Sequence, residues 1–261
     1  MLYKACIFTK METSQKSINN QSLRSLEINP NAQKTLVVLH GWGGCIDSWK
    51  NFLTTLEKED LHILAFDLPG FGLTPAPEKS WQIKDYSDLV KNFIDSYNLK
   101  KVYLLGHSFG GQIATQFAND YPEYLEKLFL VGAASIRPKP TAFKNLLRVI
   151  AKSTQKLWPR PIRHFLYKLL GNLDYGELTD PIMKQTMQNA ISTDLKNILP
   201  DIKTPTVIIW GKGDTYTPLK QGLIIKSLLP NNKMYILENA RHGVHLQQPA
   251  ELKKIILENL N

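Results

Sequence analysis

Ser108 sits in Gly106-His107-Ser108-Phe109-Gly110, directly after the apolar run Val102-Tyr103-Leu104-Leu105 and before a helical stretch. A G-x-S-x-G at a strand-to-helix junction is a turn too tight for anything but glycine on either side of the serine. It pushes the hydroxyl out above the sheet, within reach of both a base and a substrate. A serine hydroxyl is protonated at neutral pH, so it becomes a nucleophile only beside a base, and the base needs a group that holds its tautomer. Candidates follow in chain order. Thr206-Val207-Ile208-Ile209-Trp210 reads as a buried strand ending in Gly211-Lys212-Gly213-Asp214, and Met234-Tyr235-Ile236-Leu237 reads as another, followed by Arg241-His242-Gly243. Both groups fall at strand C-termini, the edge where a parallel α/β sheet builds its sites. Ser108, Asp214 and His242 are the predicted triad. Two backbone N–H groups, those of Trp42 in His40-Gly41-Trp42-Gly43-Gly44 and of Phe109, are the predicted oxyanion donors.

Nearby residues of the same types receive other roles. Asp67 precedes Pro69 and Gly70 and is expected to fix that loop. His245 competes with His242 for the part of base, but His242 stands directly in the loop after the strand, and His245 is expected to pack or bond nearby. His40 and His107 adjoin the oxyanion elements and are expected to brace loops.

The elements that must carry these residues alternate between short apolar runs and helical stretches, the pattern of a parallel sheet. Strands are expected at 35–39, 61–66, 101–106 and 126–131, and helices from Trp49 to Leu56 and over 83–97 and 111–120. Residues 2–9 and about 22–28 read as an opening β-hairpin joined by a long polar connection, Ser14 to Gln21. The alternation stops after Gly132-Ala133-Ala134-Ser135 and resumes at Thr206. The interval, 136–200, reads as a helical insertion broken by prolines, leaving 1–135 and 201–261 as the core.

At 261 residues and 43% hydrophobic content, the chain suits one such domain with an insertion. Cys6 and Cys45 form no framework and no metal-ligand spacing, so free thiols and a cytoplasmic setting are expected. Lys4, Lys10 and Glu12 interrupt any signal core, and no run approaches a membrane span. The net charge is +9, and residues 136–173 hold nine basic side chains and no acidic one. Lys144, Arg148, Lys152 and Lys156 recur every four residues, a slanted stripe on a helix whose other face carries Phe143, Leu146 and Leu147. Two readings stand: a solvated face of a lysine-rich chain, or a docking surface for an anionic partner such as a phospholipid surface or an acyl carrier protein. No binding fold for nucleic acid accompanies the charge.

The chain resembles the α/β-hydrolases that carry a helical cap, the esterase- and lipase-like serine branch. The matching pieces are His40-Gly41-Trp42-Gly43-Gly44, Asp67-Leu68-Pro69-Gly70-Phe71-Gly72, the turn at Ser108, Trp210-Gly211-Lys212-Gly213-Asp214, and His242, in the family's order from about Thr35 to the end. Serine at 108 separates it from the epoxide-hydrolase and dehalogenase branches, which use aspartate. Arg241 stands where the family often has glycine, and Gln247 where an acid is frequent. The resemblance implies a mostly parallel sheet with flanking helices and a cap after strand 6. It further implies hydrolysis of carboxylic esters of small to medium acyl chains, without cofactor or metal. The same triad also serves thioesters, acyl-carrier methyl esters, lactones, carbon–carbon bonds of diketones, or a slow-turnover receptor. Trp42, Phe109, Phe143 and Leu147 are the expected wall of the substrate pocket, with Leu146 and Trp158 beside them.

Overall fold

The structure, a computed structural model, describes residues 12–137 and 179–260. The predicted strand 2–9, the basic stripe at Lys144, Arg148, Lys152 and Lys156, and the pocket candidates Phe143, Leu146, Leu147 and Trp158 lie outside those residues. Among the described residues, eight strands form one sheet in the order β1-β2-β4-β3-β5-β6-β7-β8. They are β1 (Ser14–Ile18), β2 (Gln21–Ile28), β3 (Thr35–Leu39), β4 (His62–Phe66), β5 (Val102–His107), β6 (Leu125–Val131), β7 (Thr206–Gly211) and β8 (Asn232–Leu237). β1 and β2 pair antiparallel, β2 pairs antiparallel with β4, and every other neighbour is parallel.

The opening hairpin departs from expectation. The segment assigned to a polar connection contains β1, whose side chains are mostly exposed. Its pairing is set by Asn19 and Asn20, with φ of 47° and 64°, a two-residue turn of left-handed backbone conformation that matches the right-handed twist of the paired strands. An edge strand with little to bury carries no apolar signature.

The central strands bury both faces. Leu36 and Val38 face α1 (Ile46–Leu56) and the C-terminal helix Pro249–Glu258, while Val37 and Leu39 face α2 (Ile83–Asp95) and α3 (Phe109–Asp120). This alternation is the period-2 consequence of the pleat. The chain runs from β3 to β4 on one side and returns to β5 on the other, so winding reverses between β3 and β5. The crevice beyond their C-terminal ends is where open α/β sheets bind ligands; Trp42 follows β3 and Ser108 follows β5.

Two sets of polar contacts brace this crevice. Arg24 on β2 bonds both oxygens of Asp47 on α1 (2.6 and 2.9 Å) and lies 3.4 Å from Asp67 Oδ2. Asp67, wholly buried, also accepts from the backbone N–H groups of Ile46 (2.7 Å) and Leu73 (2.9 Å), so it fixes its loop as expected. Within the predicted insertion, helix α4 (Pro181–Ser192) is capped by Asp180 and set down on the core. The Trp81 N–H donates to Thr186 (3.1 Å) and Asn189 donates to the Trp81 carbonyl (3.1 Å). Arg137, the first basic residue of the charged run, turns inward to Gln112 and the Ala190 carbonyl, both at 3.0 Å.

Cys45 corrects another expectation: it is disulfide-bonded rather than a free thiol. Two isolated cysteines say nothing about which segments the fold brings together, and the argument for a reducing compartment loses its premise. Among the described residues, no helix is long and apolar enough to cross a membrane.

Candidate active site

The turn after β5 has the geometry the motif demands. Ser108 adopts φ 54° and ψ −112°, a backbone conformation that costs an L-residue on the order of 1–3 kcal/mol. Glycines flank it because there is no room for more: a Cβ on Gly106 would strike the Gly110 carbonyl, and one on Gly110 would strike the Leu39 carbonyl of β3. Ser108 thus stands at the N-terminus of α3, where first-turn N–H groups lack helical acceptors. That of Phe109 is one of them, as the oxyanion assignment requires.

The three predicted residues converge. His242 Nε2 lies 2.9 Å from Ser108 Oγ, and His242 Nδ1 lies 2.8 Å from Asp214 Oδ2. With the serine hydroxyl donating to Nε2, Nδ1 carries the ring proton and donates it to the carboxylate. Asp214 has no exposed side-chain surface. Its second oxygen, Oδ1, accepts from the N–H groups of Tyr216 and Thr217, both at 2.9 Å. A carboxylate so held orients the imidazole and balances the charge it gains when it takes the serine proton.

Around this line lie residues that the motifs mark weakly or not at all. Thr217, which no motif marked, puts its hydroxyl 2.8 Å from Asp214 Oδ2, 3.0 Å from the Gly132 carbonyl and 3.2 Å from His242 Nδ1. Its position three residues past Asp214, in the same turn, was the only available signal. Tyr216, 61% exposed, lies across the His242 ring at 5.2 Å. His107 braces as expected, its Nε2–H donating to the His242 carbonyl (2.9 Å). Burial, then the neighbouring His245 and His242, pushes the His107 pKa well below the ordinary histidine value, so the ring is neutral. His245 is no base for Ser108: it stacks on Trp49 with centroids 4.1 Å apart, and burial pulls its pKa down to about 3. His40 donates from Nδ1 to the Gly41 carbonyl (2.8 Å) and accepts the Leu68 N–H at Nε2 (2.9 Å), shaping the loop that carries Trp42.

Trp42 packs edge-on against Phe109 (5.0 Å) and Phe71 (4.8 Å), an aromatic wall next to Ser108. Of the two departures noted in the sequence, Gln247 is accounted for. Its side-chain oxygen accepts the Arg241 N–H at 2.6 Å, a bond a neutral amide makes as readily as a carboxylate. No group of ligand-type side chains suited to a metal occurs among the described residues.

Comparison with known proteins agrees with the fold. The profile of the alpha/beta hydrolase fold family matches residues 34–179, more than half of the chain, and the protein belongs to that family. It is 26% identical over 267 residues to a 2-hydroxy-6-oxononadienedioate/2-hydroxy-6-oxononatrienedioate hydrolase of a Pseudomonas species, covering 90% of this chain and 92% of the relative. Among solved structures, an esterase from Exiguobacterium antarcticum superposes with a TM-score of 0.76 at 19% identity, covering 96% of this chain and 99% of that one. The meta-cleavage product hydrolase of Pseudomonas fluorescens gives 0.72 at 19% identity, covering 94% and 96%. These two structural likenesses establish the shared fold.

Proposed function

We propose that the protein is a serine-dependent hydrolase whose Ser108 hydroxyl attacks a ketone carbonyl and whose reaction cleaves an adjacent carbon–carbon bond. The observation that carries the mechanism is the line Ser108–His242–Asp214, two hydrogen bonds of 2.9 and 2.8 Å in series. The choice of bond is supported by the relative named for 2-hydroxy-6-oxo dienedioate hydrolysis, matched across nine-tenths of both chains. His242 takes the serine proton as the tetrahedral adduct forms, with its oxyanion against the N–H groups of Trp42 and Phe109. Collapse of the adduct breaks the C–C bond, and the departing carbon takes a proton from His242. A water activated by the same ring then releases the acid and restores Ser108.

Ester hydrolysis is the second reading, and one observation favours it. The described wall beside Ser108 is aromatic, which suits an apolar acyl chain better than a dianion. The two readings separate in one experiment. A chromophoric 2-hydroxy-6-oxo dienoate and a series of p-nitrophenyl esters are compared as substrates by kcat/KM. A preference of about 100-fold or more for the dienoate is expected; the reverse preference would overturn the bond assignment in favour of the ester. For either substrate, Ser108→Ala should lower kcat by about 10⁴-fold or more. Residual turnover near wild type would remove Ser108 from the mechanism.

A further inference from the structure

The Thr217 hydroxyl has one proton and three polar neighbours: Asp214 Oδ2 at 2.8 Å, the Gly132 carbonyl at 3.0 Å and His242 Nδ1 at 3.2 Å. Two of these, the carboxylate and the carbonyl, only accept. The third, Nδ1, is a donor, because Nε2 receives the Ser108 hydroxyl. The Nδ1 proton therefore faces two oxygens, the carboxylate as its closer partner and the threonine oxygen as its weaker one. We propose that Thr217 is a positioning residue whose hydroxyl proton turns between Asp214 Oδ2 and the Gly132 carbonyl as His242 gains and loses its charge.

The geometry gives each orientation a purpose. While His242 is neutral, the hydroxyl donates to Oδ2 and shares the buried carboxylate with the ring. When the ring becomes imidazolium, the same proton turns to Gly132. The carboxylate then meets the cation undivided, and the threonine lone pair faces Nδ1–H. No bond other than hydrogen bonds changes, and the proton stays on Thr217 throughout. Gly132 makes this possible. It sits at φ 52°, and a Cβ there would stand 3.3 Å from Asp214 Oδ2 and 3.4 Å from His242 Nδ1, against the groups its carbonyl must serve. Thr217 is 5% exposed, so bulk water does not replace a missing hydroxyl. The side-chain methyl restricts χ1 and leaves the O–H torsion as the moving part.

This inference rests on the Ser108–His242–Asp214 centre but not on the substrate assignment, so the test uses a fluorophosphonate that reacts with the activated serine itself. Labelling kinetics are measured for wild type, Thr217→Val and Thr217→Ser, with thermal melts to verify folding. Thr217→Val should lower the limiting labelling rate roughly 10-fold, the worth of one buried hydrogen bond, with the half-saturating concentration within about twofold of wild type. Thr217→Ser, which keeps the hydroxyl, should restore the rate to within about threefold. Should the valine variant fail to fold, Thr217→Ala removes the same hydroxyl without adding a methyl group and is read the same way. Wild-type rates without the hydroxyl would overturn the proposal, as would equal losses in the valine and serine variants. A wild-type protein that the probe does not label at Ser108 would overturn the triad and Thr217 with it.

Discussion

At the scale of single residues, the site is a row of imidazoles sorted by environment. His242 is partly exposed and linked to both Ser108 and Asp214, whereas His107 and His245 are enclosed, with pKa values held below the ordinary range. That sorting has a consequence for stability. In the unfolded chain, His245 titrates near 6.5; in the folded chain, burial lowers it to about 3. A histidine depressed on folding contributes its full stability above about pH 6.5, and loses it as pH falls towards the folded value, because only the unfolded chain takes up the proton. Unfolding free energies from urea titrations should therefore decline below pH 6.5, with His245 contributing up to about 1.4 kcal/mol per pH unit. His245→Phe, which keeps a ring against Trp49, should show a shallower decline; identical slopes would show that His245 is not held neutral. The triad was legible in the sequence because each member sits in a loop whose glycines and preceding strand announce it. Thr217 was not, since a threonine in a turn is chemically ordinary until the fold sets Gly132 and His242 beside it.

At the scale of elements, the junction between β5 and α3 shows why strand-turn-helix signals read so well. The residues that position Ser108 are the ones that let two backbones pass close together, and only glycine does that. Gly110 sits with its α-carbon against the end of β3, where a methyl group would strike the Leu39 carbonyl. Gly110→Ala should destabilise the protein by about 3 kcal/mol as α3 is forced from the sheet. It should also slow fluorophosphonate labelling at Ser108. Denaturant midpoints indistinguishable from wild type would refute the close approach. The central strands were equally plain, since a strand buried on both faces is a continuous apolar run. β1 was missed for the opposite reason, as its residues are polar and its pairing comes from two asparagines. α1 begins three residues before the expected Trp49, because its N-terminus is set by Asp67, far along the chain, accepting the Ile46 N–H. The expected pocket residues Phe143 and Leu147 lie outside the described residues, and a single helical pattern does not encode which insertion residues meet the core.

Across the whole molecule, Arg24 gathers segments that lie far apart in the chain, β2, α1 and the loop that follows β4. It stands on the antiparallel flank of the sheet, yet its guanidinium joins Asp47 of α1 to Asp67, and its own N–H donates to Thr74 at the far end of the Asp67 loop (3.0 Å). That loop carries Phe71, which leans on Trp42 beside the turn at Ser108. Removing the arginine side chain would strand a buried carboxylate, a loss of about 3–5 kcal/mol. The outer hairpin and the aromatic rim of the crevice should therefore open as one cooperative unit. Native-state hydrogen exchange would read this directly: the amides of Arg24, Ile46 and Leu73 should share one opening free energy in wild type, and fall together in Arg24→Ala. If Leu73 exchanged freely while Arg24 stayed protected, the two regions would be mechanically independent. Shared opening would make the mouth of the site only as steady as the sheet's most distant margin.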